Sequence, residues 1–351
     1  MLGLEPYKGP RFPKNVSGLV LLNSNENPYG PSPGVLKEIQ SFMPLLSRYA
    51  TVEVKERIKS KIADYVGLGP ESIILGNGSD DLIDVAIRVF VDAGDEVVIP
   101  VPTFSMYEVL SRIAGGTPRT VQAQPDFTWD LEAVLGLMTE RTKMVFFGNP
   151  NNPTGKPVDP GLLSELLRQD IIVVVDEAYV EFGVKSVSSL VAEYENLIVL
   201  RTFSKVFGLA GLRLGYALCD RRVAELMDRT NLPYSVNVVA LKAADVALNN
   251  LDYVRQIQAR IAAGREYLYS ELRKVRGVEV LPSEANFVLV NVGGTGYRSQ
   301  DITAYLMSKG IVVRDCSSII GCGDRFIRVT IGTPEELSLF TSALRSKVSG
   351  G

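Results

Sequence analysis

The residues best suited to covalent chemistry lie in the segment 202–216, which reads Thr-Phe-Ser-Lys-Val-Phe-Gly-Leu-Ala-Gly-Leu-Arg-Leu-Gly-Tyr. Lys205 offers an amine that can form a Schiff base with a carbonyl, and Arg213 offers a charge-assisted grip on an anion. Upstream, Asp176 ends an aliphatic run, where a carboxylate needs a cationic partner because burying an unpaired charge is costly. The chain therefore combines a nucleophilic lysine, an anion-binding arginine and a carboxylate placed to meet a cation.

Five short apolar runs must position these groups, at residues 72–75, 96–100, 144–147, 171–175 and 197–200. They are apolar throughout rather than alternating, which is typical of strands buried on both faces of a parallel sheet. Polar residues cluster where each run ends. Because ligands of open α/β sheets bind at the carboxyl ends of the strands, the pattern predicts one site along this edge.

The character of the chain changes near residue 235, and its length of 351 residues favours two domains. We predict a Pro- and Gly-rich N-terminal arm (1–35) that packs with the small domain, a large α/β domain (36–237) and a small α+β domain (238–351). The patterns that define the small domain predict helices at 238–246, 254–275 and 301–309, and strands at 286–290, 311–314 and 326–332.

Composition narrows the possible chemistry. The chain contains no histidine, which excludes a Ser-His-Asp triad and His-ligated zinc, and leaves Lys, Asp, Glu, Tyr or Cys as the general base. We predict no metal site. A net charge of −3 gives no basic surplus for nucleic acid, so none is expected as a partner.

Neither a leader nor a membrane anchor is predicted, because no apolar run reaches the length required. The three cysteines, Cys219, Cys316 and Cys322, form no CxxC pair. This sparse set predicts free thiols in a reducing cytoplasm.

The segment 202–216, the string Asn-Pro-Asn-Asn-Pro-Thr-Gly at 149–155 and the string Asp-Glu-Ala-Tyr at 176–179 together resemble the fold-type I aminotransferases, over nearly the whole chain. The resemblance implies a large domain with a mostly parallel sheet flanked by helices, a smaller α+β domain, and pyridoxal 5'-phosphate (PLP) as cofactor. It also implies that Lys205 forms the Schiff base and then moves the proton, with Asp176 and Tyr179 as its catalytic companions.

The cofactor contacts implied by this resemblance divide by the part of PLP that they meet. Asp176 pairs with the pyridine nitrogen, Tyr179 and Asn152 meet the 3'-oxygen, and the ring of Phe104 covers the pyridine. A strand, a Gly-containing turn and a helix N-terminus offer N–H donors to the phosphate. The predicted phosphate contacts are Gly78, Ser79, Asp80, Thr202, Ser204 and Arg213.

Within that superfamily the chain looks most similar to the histidinol-phosphate aminotransferases, because of residues 25–31, 77–80, 102–104 and 202–216. This implies an amino donor, L-histidinol phosphate, a 2-oxo acid acceptor, 2-oxoglutarate, and a role in histidine biosynthesis. Arg328 is expected to bind the α-carboxylate end of an amino-acid substrate, and Arg314 a second anionic group. The remaining predicted substrate contacts are Tyr7, Asn25, Gly30 and Asn152.

The same resemblance implies a homodimer in which Tyr49 reaches the cofactor phosphate of the partner subunit. Two departures bear on this. The family's Arg-Tyr-Pro-Asp string is Arg-Tyr-Ala-Thr at 48–51, and the cofactor-stacking ring, more often tyrosine, is Phe104.

Three alternatives stay open at this stage. The first is an aromatic or aspartate-type aminotransferase, and the second is a PLP-dependent decarboxylase of a phosphorylated amino acid. The third is a PLP-sensing regulatory domain of a transcription factor, which would need a DNA-binding region that residues 1–35 are too short to supply.

Overall fold

The computed structural model describes residues 18–350, which form two sheets with helices packed on them. Within this part of the chain the strands are β1 (Val20–Leu22), β2 (Ile73–Gly76), β3 (Glu96–Val101), β4 (Thr117–Gln122), β5 (Thr142–Gly148), β6 (Ile172–Asp176), β7 (Leu197–Thr202), β8 (Gly215–Cys219), β9 (Glu279–Val280), β10 (Phe287–Asn291), β11 (Ile311–Asp315) and β12 (Phe326–Thr330). The helices are α1 (Pro33–Phe42), α2 (Val52–Val66), α3 (Ser79–Phe90), α4 (Met106–Ile113), α5 (Leu131–Leu135), α6 (Pro160–Leu167), α7 (Arg221–Thr230), α8 (Val238–Leu248), α9 (Leu251–Leu272), α10 (Ser299–Ser308) and α11 (Pro334–Ser349).

The larger sheet has seven strands in the order β2-β8-β7-β6-β5-β3-β4. The pairs from β4 through β3, β5 and β6 to β7 are parallel, whereas β8 runs antiparallel to both β7 and β2. Because β8 alone is reversed, the carboxyl ends of the other six strands meet at one edge together with the start of β8. Strands β3 and β7 are buried along their whole length, as their apolar sequences predict.

The smaller sheet has five strands in the order β1-β11-β12-β10-β9. Strand β1 pairs in parallel with β11, so the N-terminal part of the described chain is joined to its C-terminal part. Helices α10 and α11 pack against each other, and α10 lies against β11. This sheet supplies the second wall of the candidate site.

The predicted domain boundary after residue 237 stays a prediction. The first two helices that follow this boundary pack in different places. Helix α8 packs on α1 and α2, and α2 contacts β2 of the larger sheet, whereas α9 packs on α11. Helix α9 also begins earlier than the predicted 254–275, because the side chain of Asn250 accepts a hydrogen bond from the Tyr253 N–H and caps the helix there. Between residues 18 and 350, no helix is both long and apolar enough to span a membrane.

Candidate active site

A cavity of about 640 Å³ opens at the carboxyl edge of the larger sheet and is closed on its other side by the smaller sheet. Strand β6 ends at Asp176, and Lys205 follows β7 by three residues. The predicted site residues that line this cavity are Asn25, Ser79, Asp80, Phe104, Asn152, Asp176, Tyr179, Thr202, Ser204, Lys205, Arg213, Arg314 and Arg328. Residues separated by up to 303 positions in the sequence are thus brought to one chamber.

Lys205 points into the chamber from a turn that the preceding residues shape. Its Nζ atom donates a hydrogen bond to the Ser24 carbonyl oxygen at 3.2 Å and lies 5.5 Å from the centre of the Tyr179 ring. In the same turn, the Thr202 hydroxyl donates to Ser204 Oγ at 2.9 Å and accepts from the Ser204 N–H at 3.1 Å. The amine is therefore held by one carbonyl and one aromatic face.

Asp176 is buried and accepts two hydrogen bonds. The Tyr107 hydroxyl donates to Oδ2 at 2.8 Å, and the Ala178 N–H donates to Oδ1 at 3.0 Å. Burial raises the pKa of Asp176 to about 6, and these two hydrogen bonds and the charge of Lys205 oppose that rise. A cationic ligand atom brought to this carboxylate would favour its ionised form.

Tyr107 is a functional candidate that the sequence analysis missed. It is fully buried, stacks on Phe146 with ring centres 4.7 Å apart, and meets the edge of Phe104 at 5.6 Å. Its position one helical turn after Phe104 at the start of α4 was a signal that could have identified it. Ser24 and Ile319 also line the chamber without having been predicted.

Asn25 connects the two sheets behind the chamber. Its Nδ2 donates to the Tyr179 hydroxyl at 3.0 Å, and its backbone N–H donates to Thr330 Oγ1 at 3.0 Å. Its carbonyl oxygen accepts from Asn286 Nδ2 at 2.9 Å, and its φ of 54° lies in the left-handed region, which asparagine tolerates. Asn25 therefore both orients the Tyr179 hydroxyl and borders the cavity.

Arg328 and Arg314 are cross-strand partners on β12 and β11 and both line the chamber. Arg328 is buried, donating from Nη1 to Asn152 Oδ1 at 2.5 Å and from Nη2 to the Asn23 carbonyl oxygen at 2.6 Å. Two cations opposite each other on neighbouring strands repel, so this wall favours an anionic ligand.

A second candidate site for an anion lies where β2 leads into α3. Gly78 has a φ of 87°, and a Cβ atom there would come within 2.5 Å of Arg213 Nη2. Arg213 also lies 3.2 Å from Asp80 Oδ2 and 3.4 Å from Ser204 Oγ. The α3 N-terminus, the Ser204 hydroxyl and the Arg213 guanidinium thus converge, which is the donor set that a phosphate group needs.

Among the predicted site residues within 18–350, Gly30, Tyr49 and Gly78 do not line this chamber, although Gly78 borders it beside Arg213. Gly30 packs its backbone against Gly208, and its carbonyl oxygen accepts from the Tyr253 hydroxyl at 3.0 Å, so its positive φ serves a turn outside the cavity lining. Tyr49 is 75% exposed and stacks on Tyr234 at 4.3 Å. Tyr7 lies outside the described residues.

Comparison with known proteins identifies the class. The family model for class I and II aminotransferases matches residues 17–344, and the chain belongs to that family. The predicted superfamily and fold class are confirmed, and the protein is an aminotransferase.

Within the family, one group of relatives stands out. The chain is 40% identical over 328 residues to histidinol-phosphate aminotransferase 1 of Archaeoglobus fulgidus, covering 93% of this chain and 98% of the relative. The histidinol-phosphate aminotransferase of Clostridium acetobutylicum superposes with a TM-score of 0.88 at 25% identity, covering 95% and 100% of the two chains. The Sinorhizobium meliloti enzyme, solved in complex with pyridoxal-5'-phosphate, gives 0.85 at 29% identity, covering 94% and 90%.

Proposed function

We propose that this chain is a PLP-dependent transaminase that exchanges the amino group of L-histidinol phosphate with the oxo group of 2-oxoglutarate, in histidine biosynthesis in the cytoplasm. The observation that carries the proposal is the cross-strand pair Arg314 and Arg328 in the chamber that also holds Lys205 and Asp176. Relatives named histidinol-phosphate aminotransferases support the choice of substrate.

The residues present fit PLP. Gly78 leaves a cradle that a Cβ would fill, beside the α3 N-terminus, Ser204 and Arg213, and this set would hold the phosphate. Phe104 would cover the pyridine ring, and the buried carboxylate of Asp176 would pair with the ring nitrogen. Tyr179 would meet the 3'-oxygen. When bound, PLP supplies a conjugated electron sink for charge that develops at the substrate α-carbon.

The side chains of the chain itself would divide the remaining work. The amine of Lys205 lies in the chamber. We assign to its Nζ atom the removal and return of the α-proton of the substrate. Asp176 would hold its negatively charged carboxylate beside the pyridine nitrogen. Asn25 would hold the Tyr179 hydroxyl in place through the 3.0 Å hydrogen bond, and Asn152 would assist at the same oxygen.

The substrate would be held by its charged ends. Arg328 would grip the α-carboxylate of the glutamate and 2-oxoglutarate pair, and the adjacent Arg314 would meet the second anionic group, which is phosphate in histidinol phosphate and the distal carboxylate in 2-oxoglutarate. Because both guanidinium groups belong to neighbouring strands, a single site can accept these two substrates in turn.

A spectral titration of the PLP-loaded enzyme tests the assignment. We expect L-histidinol phosphate to convert the cofactor absorbance at lower concentrations than phenylalanine or aspartate. Equal responses to phenylalanine or aspartate would instead favour an aromatic or aspartate-type aminotransferase. Release of carbon dioxide from a phosphorylated amino acid would favour the decarboxylase, and steady-state turnover by Lys205→Ala would refute the proposed role of the lysine.

We also propose a homodimer whose sites are completed by Tyr49 of each partner. Large apolar side chains are exposed between residues 36 and 52 and near residue 233, and the stacking of Tyr49 on Tyr234 brings these two segments together. The exposed side chains are Leu36, Met43, Leu45, Leu46, Tyr49, Val52, Leu232 and Tyr234. An exposed apolar patch of this kind favours a protein interface.

Subunit mixing tests this arrangement. Tyr49→Ala and Lys205→Ala homodimers should each lose activity, but a mixed dimer contains one site with both native residues. We therefore expect activity to return on mixing after partial denaturation and refolding. A monomer in sedimentation analysis, or no recovery from a mixture shown to contain mixed dimers, would contradict the proposal.

A further inference from the structure

Two of the three cysteines lie together beneath the loop that joins β11 to β12. Cys316 and Cys322 are both buried, at 0% and 4% exposure, and they belong to one small apolar cluster. The other buried members of that cluster are Ala123, Phe127, Leu289 and Phe326. The third cysteine, Cys219, lies in a different cluster on β8.

The backbone of the loop returns Cys322 to the cluster that contains Cys316. The Ile319 N–H donates to the Cys316 carbonyl oxygen at 2.9 Å, and the Cys322 N–H donates to the Ile319 carbonyl oxygen at 3.1 Å, so two successive turns separate the cysteines. The side chains of Cys316 and Cys322 belong to the same buried cluster, and the Cys316 thiol donates to the Arg314 carbonyl oxygen at 3.8 Å. Two cysteines that share a cluster across two turns can reach disulfide geometry when this short loop rearranges.

The groups around this pair shift the pKa values of the two thiols differently. A hydrogen bond from Cys322 lowers the pKa of the Cys316 thiol, and the guanidinium groups of Arg328 and Arg314 add to this effect against the opposing influence of burial. The thiolate is the form that reacts with oxidants. Cys316 is thus the attacking sulfur and Cys322 its resolving partner. By contrast, burial raises the pKa of the Cys219 thiol.

The loop also borders the proposed active site. Ile319, midway between the two cysteines, packs on their cluster and lines the chamber, and Arg314 precedes Cys316 by two residues. A small oxidant in the chamber therefore lies on the other side of Ile319 from the sulfurs.

We propose that Cys316 and Cys322 form a dithiol modification site that hydrogen peroxide oxidises to an intrachain disulfide. The rate of this oxidation falls when an anion occupies the arginine wall, which is the side of the chamber formed by Arg314 and Arg328. The Cys316 thiolate attacks peroxide, forming an S–O bond as the O–O bond breaks, and the leaving hydroxide takes up a proton to become water. The Cys322 sulfur then attacks Cys316, forming the S–S bond and releasing a second water. Two thiols lose two electrons and two protons, and one peroxide becomes two waters.

Peptide mapping of the reduced, full-length protein after brief peroxide treatment tests the disulfide without reference to activity. We expect one peptide that contains both Cys316 and Cys322 joined by an internal disulfide, with a mass lower by two hydrogen atoms, and reversal by dithiothreitol. Cys219→Ser is the matched control and should form the same product. Cys322→Ser and Cys322→Ala should not form it, and the second variant guards against misfolding caused by a buried hydroxyl.

The disulfide is overturned if the wild-type protein shows Cys316 oxidised to sulfinic or sulfonic acid without the internally bridged peptide, or shows disulfides only between molecules. The effect of occupancy is measured with inorganic phosphate as the probe, which rests on the proposed anion-binding role of the arginines. We expect severalfold slower cross-linking with phosphate than with equal ionic strength of chloride. Equal rates would overturn the coupling, and an absent disulfide would leave the proposed transamination intact.

Discussion

The Tyr107→Phe variant probes how the protein keeps Asp176 ionised. Without its hydroxyl, the carboxylate loses the 2.8 Å hydrogen bond at Oδ2 while the ring still stacks on Phe146. A hydrogen bond to a charged group contributes about 1.5–3 kcal/mol, and about 1.4 kcal/mol corresponds to a tenfold change in an ionisation equilibrium. Because burial already raises the pKa of Asp176 to about 6, removing this donor raises it further.

The assay is equilibrium dialysis of PLP against the apoenzyme between pH 5 and 9. Binding requires the carboxylate if Asp176 pairs with the pyridine nitrogen, so affinity should fall at acid pH. In Tyr107→Phe we expect this acid limb to move upward by about one to two pH units. The cofactor's own titration is common to both proteins and cancels in the comparison.

Tyr253→Phe is the matched control, because its hydroxyl donates to the Gly30 carbonyl oxygen at 3.0 Å, away from Asp176. It should keep the wild-type limb. If Tyr107→Phe binds PLP with an unchanged pH profile while remaining folded, the hydroxyl does not govern the ionisation of Asp176. The reasoning from the buried hydrogen bond would then be refuted.

Three further substitutions test other parts of the structure. Burial raises the pKa of Glu181 from 4.5 to about 7, and within residues 18–350 its carboxylate oxygens have no hydrogen-bond partner, so the free energy of unfolding should fall as pH rises through that range. In urea titrations, Glu181→Gln should remove about 3 kcal/mol of this dependence. Gly78→Ala should weaken PLP binding at least about tenfold by crowding Arg213, whereas Gly67→Ala, with a similar φ and open space, should not. Arg314→Gln should raise KM for histidinol phosphate more than for phenylalanine, and equal changes would count against its role at the second anionic group.

Much of the larger sheet could be predicted because strands that are buried on both faces have continuous runs of apolar residues. The run that becomes β6 ends at Asp176 and the run that becomes β7 leads to Lys205, so sequence position alone placed both residues at one edge. Strand β4 escaped prediction because it lies at the edge, half-exposed, with the mixed sequence Thr-Pro-Arg-Thr-Val-Gln. Strand β8 begins at Gly215, at the end of the segment 202–216 that was interpreted for its chemistry, and it continues to Cys219.

Contacts between distant segments were beyond sequence reasoning for a different reason. Strand β1 has three residues, and its partner β11 lies about 290 positions later, so no local pattern encodes the pairing. The hydrogen bond from Tyr107 to Asp176 depends on how α4 packs on β3 and β4, and packing is decided by the whole core rather than by one helix. The position of Tyr107 after Phe104 suggested proximity to the site but not its partner.

The register of β11 against β12 explains why the arginine wall suits an anion. A shift of one residue would turn Arg314 or Arg328 to the opposite face of the sheet, so the observed pairing fixes both guanidinium groups toward the chamber. Their mutual repulsion is offset in part by Asn152 Oδ1 and the Asn23 carbonyl oxygen, which both accept from Arg328. An anionic substrate that reaches both guanidinium groups would offset this repulsion further. The electrostatic cost of holding these arginines side by side is thus a source of affinity for a doubly anionic ligand.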